Sequence, residues 1–362
     1  MNTTERGAAR RNEPVSLARL AAHLGLSEGT ISRALNNYPD IAVKTRERVI
    51  AAAKELGYRP SSTARRLARG VIETVGFVLP AREGHVTDPF LAEMIDGMAG
   101  ELAAHDWDLI VAAVPEGHSE VDVAERLIRA GKVGGFVVTR TRRHDPRVDY
   151  FLEQGVPFVV HGRTEDPSGY AWLDVDNEKA FVDAVHYLYN LGHRHIAYLG
   201  GDLDFNFASL RRKGYERAMS EVGLEILPGY RVDGVADAVM AKTAMAQMMT
   251  LPTPPTAVIC ITDAVALGAM RAVWRAGLKP GHDVSVIGYD GLPIGEAADP
   301  PLTTMSQSSH EAGCEVARMI RALIDGADPT DFQVLWEAKL TQRASANPPA
   351  HLMERSSKGG NE

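Results

Sequence analysis

Three polar side chains stand directly behind short β-type runs, the place where an open parallel sheet offers its binding crevice. Arg163 follows 158–160, Thr262 follows 257–261 and Asp290 follows 284–289. A fourth, Arg211, opens a helix beyond the loop 200–208, which adds Asp204, Asn206 and Phe207. Guanidinium, carboxylate and hydroxyl groups make strong hydrogen bonds to hydroxyls, and an aromatic ring covers the apolar face of a sugar, so this set suits a polyhydroxylated ligand. Plainer roles compete. Asp263 would cap a helix beginning at Ala264, Asp290 a turn, and Arg211 would pair with Glu216. A second set lies near the N-terminus. Glu28 can accept from a cytosine amino group, Arg33 can fork to guanine, and Thr30 lies with them off the buried stripe. Ser27, Asn36, Lys44 and Thr45 suit phosphates, while Gly29 only permits close approach.

The elements that must carry the N-terminal set are three short helices. Ser16 caps the first, whose Leu17, Leu20, Ala21 and Leu24 recur at helical spacing before Gly25 ends it. Ser27 is placed to cap a second helix over 28–35, giving a helix, a glycine-containing turn and a capped helix. A third helix over 45–56 carries Val49, Ile50, Ala53 and Leu56 on one face. Gly57-Tyr58-Arg59-Pro60 stops it, and 61–69 can form one short basic turn bearing Arg65, Arg66 and Arg69 beside Ala64 and Leu67. From residue 74 the pattern changes to β-type runs (75–79, 109–113, 135–138, 158–160, 195–199, 257–261, 284–288). These alternate with amphipathic stretches (91–104, 121–130, 179–191, 210–221, 238–249, 265–276, 311–323), which calls for parallel sheets with helices on both faces. Some 270 residues of it exceed one compact core, so two α/β lobes are expected. The organisation read from the chain is a disordered tail over 1–14, a helix-turn-helix head over 15–60, a hinge helix or linker over 61–72, a two-lobed body over 73–345 and a disordered polar tail over 346–362.

Charge separates the same regions. The chain carries a net −8, but residues 1–70 hold 13 Lys and Arg against 6 Asp and Glu, leaving a strongly acidic remainder. A basic head on an acidic body fits a polyanion-binding module, although charge alone equally fits a solvated basic surface. No run approaches the ~20 apolar residues of a membrane helix, and the first 14 residues lack the apolar core of a secretory signal. Two cysteines, Cys260 and Cys314, read as packing residues of a reducing compartment. Gly200-Gly201 lacks a phosphate-loop pattern. His193 and His195 lack further ligands at metal spacing, and no nucleophile elbow occurs. Neither a cofactor, a metal nor catalysis is expected.

The run from Ser16 to Gly70, with LGLSEGTISRALN, KTRERV and ELGYRP, resembles the head of the lactose-repressor (LacI/GalR) family. LGHRHIAYLGG, RRKGYERAM, TDAVALGAMRA, DVSVIGYDG and PPLTTMSQ resemble that family's periplasmic-binding-protein-like sensor. The resemblance implies a homodimer that binds pseudo-palindromic operator DNA through Ser27, Thr30, Ser32, Arg33, Asn36 and Thr45, with Ser16 and Tyr58 counted at the same interface. It implies a hinge helix with Ala64 and Arg65 at the DNA and Leu67 wedged into the minor groove. In the sensor it implies Arg211, Thr262 and Asp290 as effector contacts, joined by Phe90, Arg163 and Gln307. Two departures stand out: Thr262 occupies a frequent asparagine position, and Ser308-Ser309 stand where bulkier residues are common, which would make room for a larger ligand. SEGTISRALNNYPDI is similar to regulators of α-glucoside use. The expectation is a cytoplasmic, sugar-responsive transcription factor that forms its subunit interface around 91–101 and 121–128. The alternatives are an exported sugar receptor and a sugar-modifying enzyme fused to a DNA-binding head.

Overall fold

The computed structural model describes residues 15–35, 38–58, 71–79, 88–350 and 352. The chain divides into two compact units, Met1–Val71 and Ile72–Glu362. The expected hinge, with Ala64, Arg65 and Leu67, lies outside the described residues, as do Asn36 and the tail over 1–14.

In the first unit, α1 (Leu17–Leu24), α2 (Glu28–Leu35) and α3 (Val43–Leu56) enclose a core of Leu20, Ile31 and Val49, none of them exposed, with Ala21, Ala34, Ala52 and Ala53 between. Alanines at the contacts allow close helix approach, and the few large side chains each contribute about 1.5–3 kcal/mol. Ser16 accepts from the Arg19 amide, and Gly25 closes α1 in the left-handed region at φ 67°. The third helix begins at Val43, two residues earlier than expected, with no side-chain cap. Ile50, expected in the core, is half exposed: the narrow stripe Val49–Ala52–Ala53 fills the available space.

The second unit alternates strands and helices, more finely than expected: β1 (Thr74–Leu79), α4 (Pro89–Ala103), β2 (Asp108–Ala113), α5 (Glu120–Arg129), β3 (Gly135–Val138), α6 (Pro146–Gln154), β4 (Phe158–His161) and β5 (Ala171–Val175). There follow α7 (Asn177–Asn190), β6 (Ile196–Leu199), α8 (Asn206–Glu221), β7 (Arg231–Val232), α9 (Ala238–Met248), β8 (Ala257–Cys260), α10 (Asp263–Arg275) and β9 (Ser285–Asp290). The last elements are α11 (Pro293–Glu296), β10 (Thr303–Ser306), α12 (Ser309–Ile324), β11 (Gln333–Trp336) and β12 (Lys339–Thr341).

Two six-stranded sheets result, in the orders β11-β5-β4-β3-β1-β2 and β12-β10-β9-β8-β6-β7. All neighbours are parallel except β10 with β12. The chain therefore crosses between lobes after β5, after β10 and after β11. On the first lobe α12 packs against α4 at glycine contacts. A Cβ on Gly97 would fall 2.1 Å from the His310 carbonyl oxygen, and one on Gly313 2.2 Å from that of Met94.

The polar C-terminal stretch is less of a tail than its composition suggested. Ala346 is buried, the Asn347 amide donates to the Ser285 hydroxyl at 3.0 Å, and its side chain donates to the Gly281 carbonyl at 2.9 Å. No described helix is long and apolar enough to cross a membrane.

Candidate functional site

The head brings its chemistry to one helix. The Ser27 hydroxyl accepts from the Thr30 amide at 3.1 Å and lies 2.9 Å from the Thr30 hydroxyl, so one residue both caps α2 and orients its neighbour. Glu28, Gly29 and Arg33 are exposed, and Thr30 and Ser32 half-buried. Arg33 is not idle: its guanidinium meets Asp40 at 2.8 Å, with both side chains about half exposed (50% and 51%). Such a pair is worth about 0–1 kcal/mol, little enough to be exchanged for another partner. Sequence reasoning missed Asp40, which lies beyond the end of the helix. Lys44 is exposed and Thr45 half-buried in the first turn of α3; Ser16 is exposed at the start of α1. Tyr58 packs on the edge of the core, and burial, then the Glu28 charge, raise its phenol above its usual pKa.

In the body, the C-terminal ends of β4, β5, β8 and β9 assemble a continuous polar chain. Arg163 pairs with Asp174 at 2.9 Å. The other oxygen of Asp174 accepts from the Asn177 side-chain amide at 3.2 Å, and the Asn177 oxygen accepts from Arg211 Nε at 2.8 Å. Arg211, 4% exposed, also donates to the Ile261 carbonyl at 2.6 Å. Its guanidinium lies 3.5 Å from the centre of the Tyr289 ring and 4.8 Å from that of Phe207. Asp290 accepts from the Gln307 side chain at 2.9 Å. From the first lobe, Phe90 comes within 5.6 Å of the His161 ring, centroid to centroid.

Two details hold Asp290 in place. It is a non-glycine residue at φ 118°, a conformation that costs about 1–3 kcal/mol and accumulates at functional positions. The residues after it are fixed by Asp263, whose carboxylate accepts from the Gly291 amide at 2.9 Å, the Leu292 amide at 2.8 Å and the Thr304 hydroxyl at 2.6 Å. Asp263 can approach so closely only because Gly288 is bare; a Cβ there would lie 2.2 Å from its oxygen.

Electrostatics follow from burial. Asp290 is pushed up to about 7, first by burial, with Arg211 and Gln307 opposing and the carboxylates of Asp263 and Asp88 reinforcing. Asp174 rises to about 6 for the same first reason, with Arg163 opposing. His161 falls to about 4 through burial and then the Arg211 charge.

Several expectations change. Asn206 is buried and its amide is spent on the Arg163 and Thr164 carbonyls, at 2.9 and 3.3 Å. With the Asn206 amide on Thr141 and the Arg143 amide on Asp204, it ties the two lobes together. Thr262, not Asp263, caps α10, accepting from the Val265 amide at 3.3 Å. Glu216 pairs with Arg212 and Arg231 rather than with Arg211. Ser309 is buried with its hydroxyl on Glu93, so it adds no space for a ligand. His193 is engaged by the Thr256 and Ser285 hydroxyls and the Asn347 carbonyl. Asp174, Asn177, His161 and Tyr289 were missed; the signal available was their place at or just beyond strand ends.

Comparison with known proteins bears on both units. Residues 17–61 match the bacterial regulatory proteins, lacI family, and residues 185–346 match the periplasmic binding protein-like domain. The HTH-type transcriptional regulator AglR of Rhizobium meliloti is 39% identical over 92% of this chain and 95% of its own. The chain belongs to the LacI family. It is a transcriptional regulator with a helix-turn-helix head and a periplasmic-binding-protein-like body of parallel sheets. Among solved structures, the lac repressor dimer bound to operator and an anti-inducer superposes at TM-score 0.77, with 26% identity over 92% of this chain and all of that one. The transcriptional regulator CelR in complex with cellobiose superposes at 0.70, with 28% identity over 91% of this chain and 99% of that one. These relatives are named regulators rather than enzymes.

Proposed function

We propose that the regulator is a cytoplasmic homodimer that represses transcription from a pseudo-palindromic operator and is controlled by a small sugar, an α-glucoside first among candidates. Glu28, Thr30 and Arg33 read base edges from the major groove, and Ser16, Ser27, Ser32, Lys44, Thr45 and Tyr58 position the head on the backbone. Symmetric half-sites require two heads. The outward faces of α4 and α5, which expose Ala92, Asp96, Ala99 and Arg126, supply the subunit contact.

The observation that carries the effector reading is the strained, buried Asp290 beside Arg211 and Gln307 at the strand ends. A carboxylate held there at such cost has no evident structural use, whereas a pair of ligand hydroxyls would satisfy it. Arg163, Phe90 and Phe207 line the same cleft, and Thr262 contributes its hydroxyl from the cap. Asn206 acts as a tie between lobes rather than a direct contact. The complex of CelR with cellobiose supports a small sugar as effector, and the regulator AglR supports the same class of protein. No turnover is part of this scheme: sugar shifts one lobe against the other and changes operator affinity.

The test is thermal unfolding against mono- and disaccharides, beginning with α-glucosides. A sugar at ~100 times its Kd stabilises the body by ~2.7 kcal/mol. One clear hit is expected; a flat response across neutral, phosphorylated and carboxylated sugars alike would defeat the reading.

A further inference from the structure

The cations of the cleft are already answered by the protein. Arg163 is matched by Asp174 at 2.9 Å and Arg140 by Asp88. The guanidinium of Arg211 is occupied by Asn177, the Ile261 carbonyl and the Tyr289 ring, and its charge acts on the nearby Asp290 carboxyl. Two guanidinium groups thus meet carboxylates directly, and the third is held by neutral acceptors and an aromatic ring with the Asp290 carboxylate nearby. An anionic ligand would enter a buried site without an uncommitted positive charge, and desolvating it there is costly. Three buried polar groups near the strand ends have no hydrogen-bond partner among the described residues, the Thr141 and Tyr289 hydroxyls and the His161 imidazole, and the imidazole is the one that stands beside an aromatic ring of the cleft. His161 ends β4, its ring packs against Phe90, and its buried Nε2 has no hydrogen-bond partner among the described residues. A buried polar nitrogen left bare is rare in a native protein and calls for a missing partner. The nearby Arg211 charge and burial keep the imidazole neutral, able to donate or accept one hydrogen bond but not to balance an anion.

We propose that the cleft selects an uncharged glycoside and that His161 reads one of its hydroxyl groups. This rests on the cleft being the effector site and narrows it: phosphosugars and uronic acids are excluded, and a residue absent from the family-derived contacts becomes a determinant of specificity.

The test uses the full-length regulator and a matched trio built on one glucoside: the neutral sugar, its 6-phosphate and its C6 carboxylate, each titrated calorimetrically at pH 7.5. The neutral sugar is expected to bind at least about 100-fold more tightly than either anion, because neither anion finds a free cation. His161→Leu, which removes the hydrogen bond at similar volume, should weaken the neutral sugar about tenfold or more. His161→Gln, which retains a donor and an acceptor, should recover part of that loss. Binding of either anion as tight as the neutral sugar would overturn the charge argument without touching the effector-site reading. Unchanged affinity in both His161 variants, with wild-type unfolding midpoints, would remove His161 from the site. Binding by none of the three would sink the effector reading and this inference together.

Discussion

The recognition helix and the cleft use the same residue types in opposite ways. On α2, Arg33 is half exposed and held only by Asp40 across a solvated 2.8 Å contact. In the cleft, Arg211 is 4% exposed and fixed by two hydrogen bonds and two aromatic rings. A side chain already in water gives up little when it moves onto a base edge, and its affinity is shared with phosphates, so it answers to salt. A buried, fixed side chain is pre-organised and screened from salt, so its responses are to protonation and shape. DNA reading by this regulator should therefore be salt-sensitive and tolerant in stability, and sugar sensing the reverse.

The largest effect that would sharpen this contrast is expected from Asp290→Ala. Losing a charged acceptor and its ligand hydrogen bonds should weaken sugar binding by roughly 100-fold or more. Operator affinity without sugar should stay within about twofold of wild type by anisotropy titration, because the head is a compact unit separate from the body that holds Asp290. A sugar response that survives the change would take Asp290 out of the site.

Next in size is Arg33→Ala, which should cost specific operator binding about 1–3 kcal/mol while leaving the unfolding midpoint nearly unchanged. Lys44→Ala is smaller: specific and non-specific binding should weaken alike, and the salt dependence should lose about one unit of slope. If these two variants behave identically, α2 is not the reading helix.

The smallest expected effect is in pH. Asp290, raised to about 7 from the usual 3.8, holds more protons folded than unfolded between those values. Body stability without sugar should accordingly fall as pH rises through that window. The ionised carboxylate is the better acceptor for sugar hydroxyls, so stabilisation by a saturating sugar should grow from pH 6 to pH 8. Unfolding midpoints with and without sugar at both values check this, and a sugar shift that ignores pH would separate Asp290 from the ligand.

Local signals carried most of the head. Ser16, Gly25 and Ser27 act on their own neighbours, so caps and turn were legible residue by residue. Ile50 was misjudged because helical spacing alone does not say how narrow a three-helix core is. In the body, most apolar strands buried on both faces were readable, but β5 (AWLDV), buried throughout, was not, because Asp174 interrupts its apolar run. The two-residue β7, the edge strands β11 and β12, and β10 (TTMS) were missed as well, being short or polar and set by distant partners. The cleft shows the same divide. Arg211 and Asp290 could be picked out from their positions, but Asp174 and Asn177 gain meaning only when Arg163 and Arg211 arrive from elsewhere in the chain. Asn206 looked like a ligand group until its amide proved to be spent on carbonyls of the other lobe.

The most direct test of the account is the operator Kd of the full-length protein with and without a saturating concentration of whichever neutral glycoside stabilises the body. The account predicts a change of about 5- to 150-fold, the usual range for coupling of ~1–3 kcal/mol, with operator DNA altering sugar affinity by the same factor. An operator Kd that does not move while the sugar is demonstrably bound would contradict it.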